Sequence, residues 1–165
     1  MGRVDELTRN ELIKGLDSRT KKYSKKVKQP IYKGITKDYT IVFDVPSAST
    51  PGIFYTVKIN LSEFESLKDY TDLSTNEKLR LCIDGDVKIS CNCPAAKFWG
   101  YDYILSQLAA KEGFDEDRYP TVRNPKLDGT LCKHAYVAVR YLGRLWKKIS
   151  KDIDSNNFIG DDSNE

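Results

Sequence analysis

The feature that most constrains this chain is the placing of three of its four cysteines and its one histidine. They fall in two tight pairs, Cys91-Asn92-Cys93 and Cys132-Lys133-His134, with 38 residues between the pairs. Together they offer four soft or borderline donors, and Cys3His is one of the standard tetrahedral sets of a structural zinc site. A fold that uses them must bring both pairs to one point. The pairs call for different local geometry. On extended chain, residues i and i+2 project to the same side, so Cys91 and Cys93 can grip one ion at the end of a strand. On a regular helix the same two positions lie about 200° apart. Cys132 is therefore expected in the turn before a helix and His134 in its first turn. Gly129-Thr130 is read as a flexible approach, and Lys133 with the helix N-terminus favours thiolate over thiol. A disulfide framework would need an oxidising compartment. Nothing suggests one, because residues 1–16 alternate charge with apolar side chains and carry no signal-peptide block. Cys82 lies inside an apolar run and reads as a small core residue, not a ligand.

At 165 residues, 39% hydrophobic and 31% charged, the chain has room for one domain with a limited core. Its apolar runs, such as 39–43 and 53–57, are far too short to span a membrane. The net charge of +3 conceals an ordered distribution. Residues 1–37 carry 11 basic and 4 acidic side chains, residues 38–150 carry 15 of each, and residues 151–165 carry 1 basic and 5 acidic. The chain divides accordingly into a basic N-terminal helix and arm (1–37), a neutral α+β domain (38–150) and an acidic C-terminal tail (151–165).

Residues 5–16 place Leu7, Leu12, Ile13 and Leu16 roughly on one helical side. Residues 19–28 hold six basic side chains in ten, interrupted by Tyr23 and Val27 and closed by Pro30. Residues 39–45 and 53–61 alternate with period two and read as antiparallel strands joined by the PSASTPG loop. Ser62 with Glu65 and Ser74 with Glu77 are candidate capping boxes. Asp84-Gly85, a dipeptide favoured in tight turns, suggests a β-hairpin of 79–83 with 87–91. Tyr101, Ile104, Leu105 and Leu108 mark a helix ending near Gly113. A polar loop follows over 114–129, and one last helix is expected over 133–149.

With its first pair ending a hairpin and its second opening a helix, the C-x-C…C-x-H pattern resembles the SWIM zinc finger over about 79–142. The spacer departs from that family, being longer than usual and carrying a helix of its own. FWGYDYIL (98–105) together with RYPTVRNPKLDGTLCKH (118–134) is similar to short stand-alone SWIM-type proteins encoded among the structural genes of tailed bacteriophages. The basic segment before the strands fits that group too. The resemblance implies a virion component, contacts with other virion proteins, and a place in the particle assembled in the reducing cytoplasm of a bacterial host. SWIM modules are also implicated in DNA contact.

Phe98, Trp99, Tyr101, Tyr103 and Trp146 are expected to pack around the zinc, since a small metal module needs large side chains to cover it. Arg123-Asn124-Pro125 reads as turn chemistry, the Asn amide stapling a loop. Arg19, Lys21, Lys22, Tyr23, Lys25, Lys26 and Lys28 are candidates for contact with phosphate or with an acidic partner. Catalysis has little support: zinc takes the one histidine, four protein ligands leave no open position, and no glycine-rich phosphate motif is present. The expectation is a non-enzymatic α+β protein with one structural Zn2+ on Cys91, Cys93, Cys132 and His134. It would have neither a membrane nor a small-molecule partner. The alternative is a nucleic-acid-binding zinc module.

Overall fold

The computed structural model describes residues 9–160. In chain order its elements are α1 (Arg9–Lys14), α2 (Ser18–Ser24), β1 (Ile31–Ile35), β2 (Thr40–Pro46), β3 (Phe54–Asn60), α3 (Phe64–Leu67), α4 (Thr75–Asp84) and β4 (Lys88–Cys91). Then come α5 (Pro94–Phe98), α6 (Tyr101–Gln107), α7 (Lys133–Tyr141), a 3-10 turn (Leu142–Arg144) and α8 (Trp146–Asp154). The strands form one antiparallel sheet in the order β1-β2-β3-β4, each next to its neighbour in sequence. The α+β class with an antiparallel sheet is as the sequence predicts.

β2 and β3 form where the period-two runs place them. Thr40 lies opposite Asn60 and Pro46 opposite Phe54. Ile41, Phe43, Val45, Val57 and Ile59 are fully buried, and α7 and α8 pack against the sheet. β1 is the strand that the sequence hides. Its five residues, IYKGI, carry little alternation, and the pairing slips between Tyr32 and Gly34. Gly34 sits at φ +141°, where a Cβ would come within 2.5 Å of Ile159 Cγ2. Only glycine lets the chain end approach this closely. Ile159 N donates to Ile35 O at 3.0 Å and Phe158 packs edge-on to Tyr39, so residues 158–159 lie against the Gly34–Ile35 end of β1. The stretch expected as an acidic tail is thus docked as far as Gly160, and residues 161–165 lie outside the described residues. The same holds for the part of the first expected helix that precedes Arg9.

The hairpin expected over 79–83 and 87–91 does not form. Residues 75–84 are α4, opened by a complete capping box in which Glu77 N donates to Ser74 Oγ and Ser74 N to Glu77 Oε1. Leu79, Cys82 and Ile83 stand at i, i+3 and i+4 and are fully buried, while Leu81 is 51% exposed. A strand would instead have put Leu81 inward with Leu79 and Ile83. Gly85 is the helix cap, its N–H donating to Cys82 O, and not a hairpin turn. Only β4 survives from that pairing, and its partner is β3, with Val57 opposite Cys91. The other expected box, Ser62 with Glu65, is not made either: α3 begins after Glu63 without a side-chain cap.

The last helix is broken in two. α7 ends at Tyr141, the chain tightens through Leu142–Arg144, and α8 restarts at Trp146. Gly143, a poor helix former, lies in the break. The new direction lets α8 reach β1 and α4, where Tyr32 OH donates to Asp152 Oδ2 at 2.7 Å.

Candidate metal centre

Cys91 ends β4, and Cys93 follows after one extended residue. Asn92 is held to β3 from both sides, since its N–H donates to Thr56 O and its Oδ1 accepts from Thr56 N at 2.8 Å. This double pairing keeps the C-x-C segment extended, so both sulfurs point to the same side. Cys132 and His134 enter from the other end of the molecule. Cys132 is the N-cap of α7 and His134 lies in its first turn, as the 200° argument requires. The donor atoms of Cys91, Cys93, Cys132 and His134 all lie within 4.8 Å of one another, and all four residues are buried. Among the described residues this is the one such cluster of Cys, His, Asp and Glu. Cys82 is elsewhere, buried on α4.

Cys93 and Cys132 play the same structural part. Each caps a helix through its sulfur, Cys93 accepting from Ala96 N and Cys132 from Ala135 N, both at 3.4 Å. Pro94, at the first position of α5, suits that start because its missing N–H would have no helical partner there. The sequence signal for this symmetry lies in C-P-A-A and C-K-H-A, a cysteine set directly before a helix start in each. A peptide N–H aimed at each sulfur stabilises negative charge on it.

The approach to Cys132 is fixed, not flexible. Gly129 has φ +87°, and a Cβ there would press on Asp17 and Tyr101. Thr130 Oγ1 donates to Leu12 O at 2.6 Å, and Thr20 Oγ1 to Leu131 O at 2.8 Å. Upstream, Asn124 staples the long loop as its sequence context suggested. Its Nδ2 donates to the carbonyls of Trp99 and Asp128, and its Oδ1 accepts from Asp128 N.

The donor chemistry suits a cation. Sulfurs of Cys132 and Cys91 donate to Cys93 and hold it well below the ordinary thiol range. Its contact with Cys132, and then that with Cys93, pushes Cys91 well up, and burial does so for Cys132. Without a counter-charge, three thiols this close cannot all ionise. Moreover, neither His134 Nδ1 nor His134 Nε2 has a hydrogen-bond partner outside the cluster, although the ring is buried under Tyr55 at 4.7 Å between centroids. A buried imidazole without a partner is costly unless a ligand takes its lone pair. The donor set fits a divalent ion: three thiolates and one neutral imidazole would leave a dication site with a residual charge of −1.

The aromatic that covers the site is Tyr55 of β3, which the sequence reading took only as a strand residue. The aromatics it nominated divide. Tyr101 is buried, its OH donating to Asp17 Oδ2 at 2.8 Å, and Tyr103 packs on Tyr119. Trp99 lies under the Arg19 guanidinium at 4.3 Å, whereas Phe98 is 57% exposed. The basic segment is helical from Ser18 to Ser24 and rests on α7 through buried Thr20 and Ser24. Lys21, Lys22, Lys25, Lys26 and Lys28 point to solvent, and none of the basic candidates belongs to the donor cluster.

No family model, no curated protein and no solved structure matches this chain. The part of the SWIM resemblance that the structure carries is therefore the ligand set itself, one pair closing a strand and the other opening a helix. No helix among the described residues is long and apolar enough to cross a membrane.

Proposed function

We propose that this is a non-enzymatic interaction protein stapled by one structural zinc ion. The observation that carries the reading is the closed donor set: four protein ligands, all buried and within 4.8 Å of one another, drawn from segments 38 residues apart. Four protein donors satisfy tetrahedral zinc and leave it no open position for a water or substrate. The ion ties the last strand of the sheet to the first turn of α7, so it acts on the fold, and function is left to the surface. Zinc suits three thiolates and an imidazole better than the oxygen-seeking divalent ions do. In keeping with the phage-like resemblance, the protein is assigned to the particle of a tailed bacteriophage, assembled in the host cytoplasm among other virion proteins.

Elemental analysis of protein purified without added metal tests the first part. One zinc per chain is expected, together with its loss in Cys132→Ser and its retention in Cys82→Ser. A chain free of zinc, or one that keeps it in Cys132→Ser, would overturn the staple. For the second part, the protein should be found by mass spectrometry in purified virions at a fixed ratio to capsid or tail proteins. Its absence from intact particles would sink that assignment.

A further inference from the structure

Beside the ligand cluster two clefts open next to each other, and among the described residues neither wall contains an acidic one. The first, of about 270 Å3, passes over Cys93 and His134 and is bounded by Arg123, Phe98 and Trp99. The second, of about 310 Å3, is bounded by Tyr23 and Lys26 of the α2 segment. Arg19, Ser49 and Lys133 line both, so the two form one groove running from the turn after the second cysteine to the exposed side of α2.

Its charge comes from two segments that the fold brings together. Residues 18–37 hold eight Lys and Arg with no Asp or Glu, and residues 129–151 hold six with none. Packing of α2 on α7 brings the helical parts of these acid-free stretches together. Asp17, just before the first of them, accepts from Thr20 N and Tyr101 OH and lines neither cleft. Along it stand two exposed rings. Phe98 is 57% exposed, and Tyr23 is 37% exposed amid Arg19, Lys22 and Lys26, each within 6.0 Å of its centroid.

Rings that bases can stack on, interleaved with cations that reach phosphates, are what a single nucleic-acid strand requires. A duplex would use the cations, but its stacked bases could not reach the rings. An acidic peptide would likewise leave the rings idle. We propose that the groove binds single-stranded nucleic acid, with phosphates on Arg19, Arg123 and Lys133 and bases on Phe98 and Tyr23. This deepens the reading of an interaction protein and rests on it, because Lys133 and α5 stand directly after metal ligands.

The test uses the full, zinc-loaded chain and fluorescein-labelled oligo(dT) and oligo(U) of 20 nucleotides. Polarisation is followed across a potassium chloride series with a 20-base-pair duplex alongside. Both single strands should bind at least tenfold more tightly than the duplex, and a preference between them would name the natural strand. Arg123→Ala with Lys133→Ala should weaken binding at least tenfold. It should also lower the slope of log K against log salt by about 1.4, two phosphates at about 0.7 each. Phe98→Ala should weaken binding about tenfold with the slope unchanged, as loss of one stacked base does. Zinc content and circular dichroism of each variant keep the two readings apart. Intact zinc with no strand binding, equal or tighter binding of the duplex, or indifference to Phe98→Ala each overturns the groove. Absence of zinc overturns the staple, and the same titration on the folded chain then still decides the groove.

Discussion

The sheet with α4 and the region around the ligand cluster bury cysteine in two different ways. Cys82 lies among Leu79 and Ile83 on the inner side of α4, where burial, and secondly the charge of Glu63, pushes its thiol up to about 12. It is a small apolar filler. Cys91, Cys93 and Cys132 are buried too, but against one another and against an imidazole whose nitrogens have no hydrogen-bond partner outside the cluster. Apolar burial needs nothing further, whereas a cluster of donors this close is arranged to take a cation. The sheet half is thus held by packing alone, and the region from the C-x-C segment to the start of α7 adds to its packing a donor cluster placed to take a metal ion, with a long loop between that has no helix or strand over residues 114–129.

Removing the metal is the strongest way to break this contrast. Structural zinc contributes on the order of 10 kcal/mol or more to folding. A chelator at neutral pH should abolish hydrogen-exchange protection at the Ala96 and Ala135 amides, while Phe43 and Val57 in the paired strands keep theirs. Simultaneous loss at all four would show one cooperative unit and erase the distinction. The converse experiment is Phe43→Ala, which empties a fully buried site in a central strand. It should cost about 3–5 kcal/mol in denaturant unfolding and leave one zinc per folded chain.

The halves also differ in how readable they are. β2 and β3 follow directly from period-two alternation, and the ligand set from the scarcity of cysteine and histidine, since each residue of the set could be placed by the geometry of its own pair. α4 was hidden because Leu79, Leu81 and Ile83 also alternate, and Asp84-Gly85 serves a helix end as well as a hairpin turn. The capping box at Ser74 and the i, i+3, i+4 spacing of Leu79, Cys82 and Ile83 were the better guides. β1 could not be read at all: it is an edge strand with a slipped register, paired with β2, and its glycine makes room for Ile159, more than a hundred residues on. The groove was only half visible for the same reason. Arg19 and Lys26 were nominated, but Lys133 and Arg123 join them only once α2 has packed on α7.

Acid and alkali should separate the halves. The metal centre fails on the acid side, where protons compete with the ion for three thiolates. The α4 thiol acts on the alkaline side. Its folded value, about 12, lies above the ordinary 9.0, so its contribution is complete below pH 9 and lost as pH rises from 9 towards 12. That loss is on the order of 2–4 kcal/mol. Tyr101, raised from 10.0 to about 12 by burial, adds a second fall beginning near pH 10. Urea midpoints should therefore begin to drop at pH 9 in the natural protein and nearer pH 10 in Cys82→Ala. An unchanged onset would show that the Cys82 thiol is not held up by its surroundings.

The smallest effects sharpen the contrast most finely, because they can be matched in size and differ only in place. Asn124→Ala removes three loop hydrogen bonds and leaves the Trp99 and Asp128 carbonyls without their donor. It should cost about 1–3 kcal/mol and weaken zinc affinity in competition with a chromophoric chelator, since the loop positions Cys132. Ser74→Ala removes the capping box of α4 and should cost about 1 kcal/mol. In the same competition its zinc affinity should equal that of the natural chain, because α4 carries no ligand. If Ser74→Ala lowers zinc affinity as much as Asn124→Ala does, stability is shared across the molecule and the metal is not a local staple. If only Asn124→Ala lowers it, the long loop and the centre form a unit whose order depends on the ion, standing on a sheet that does not need it.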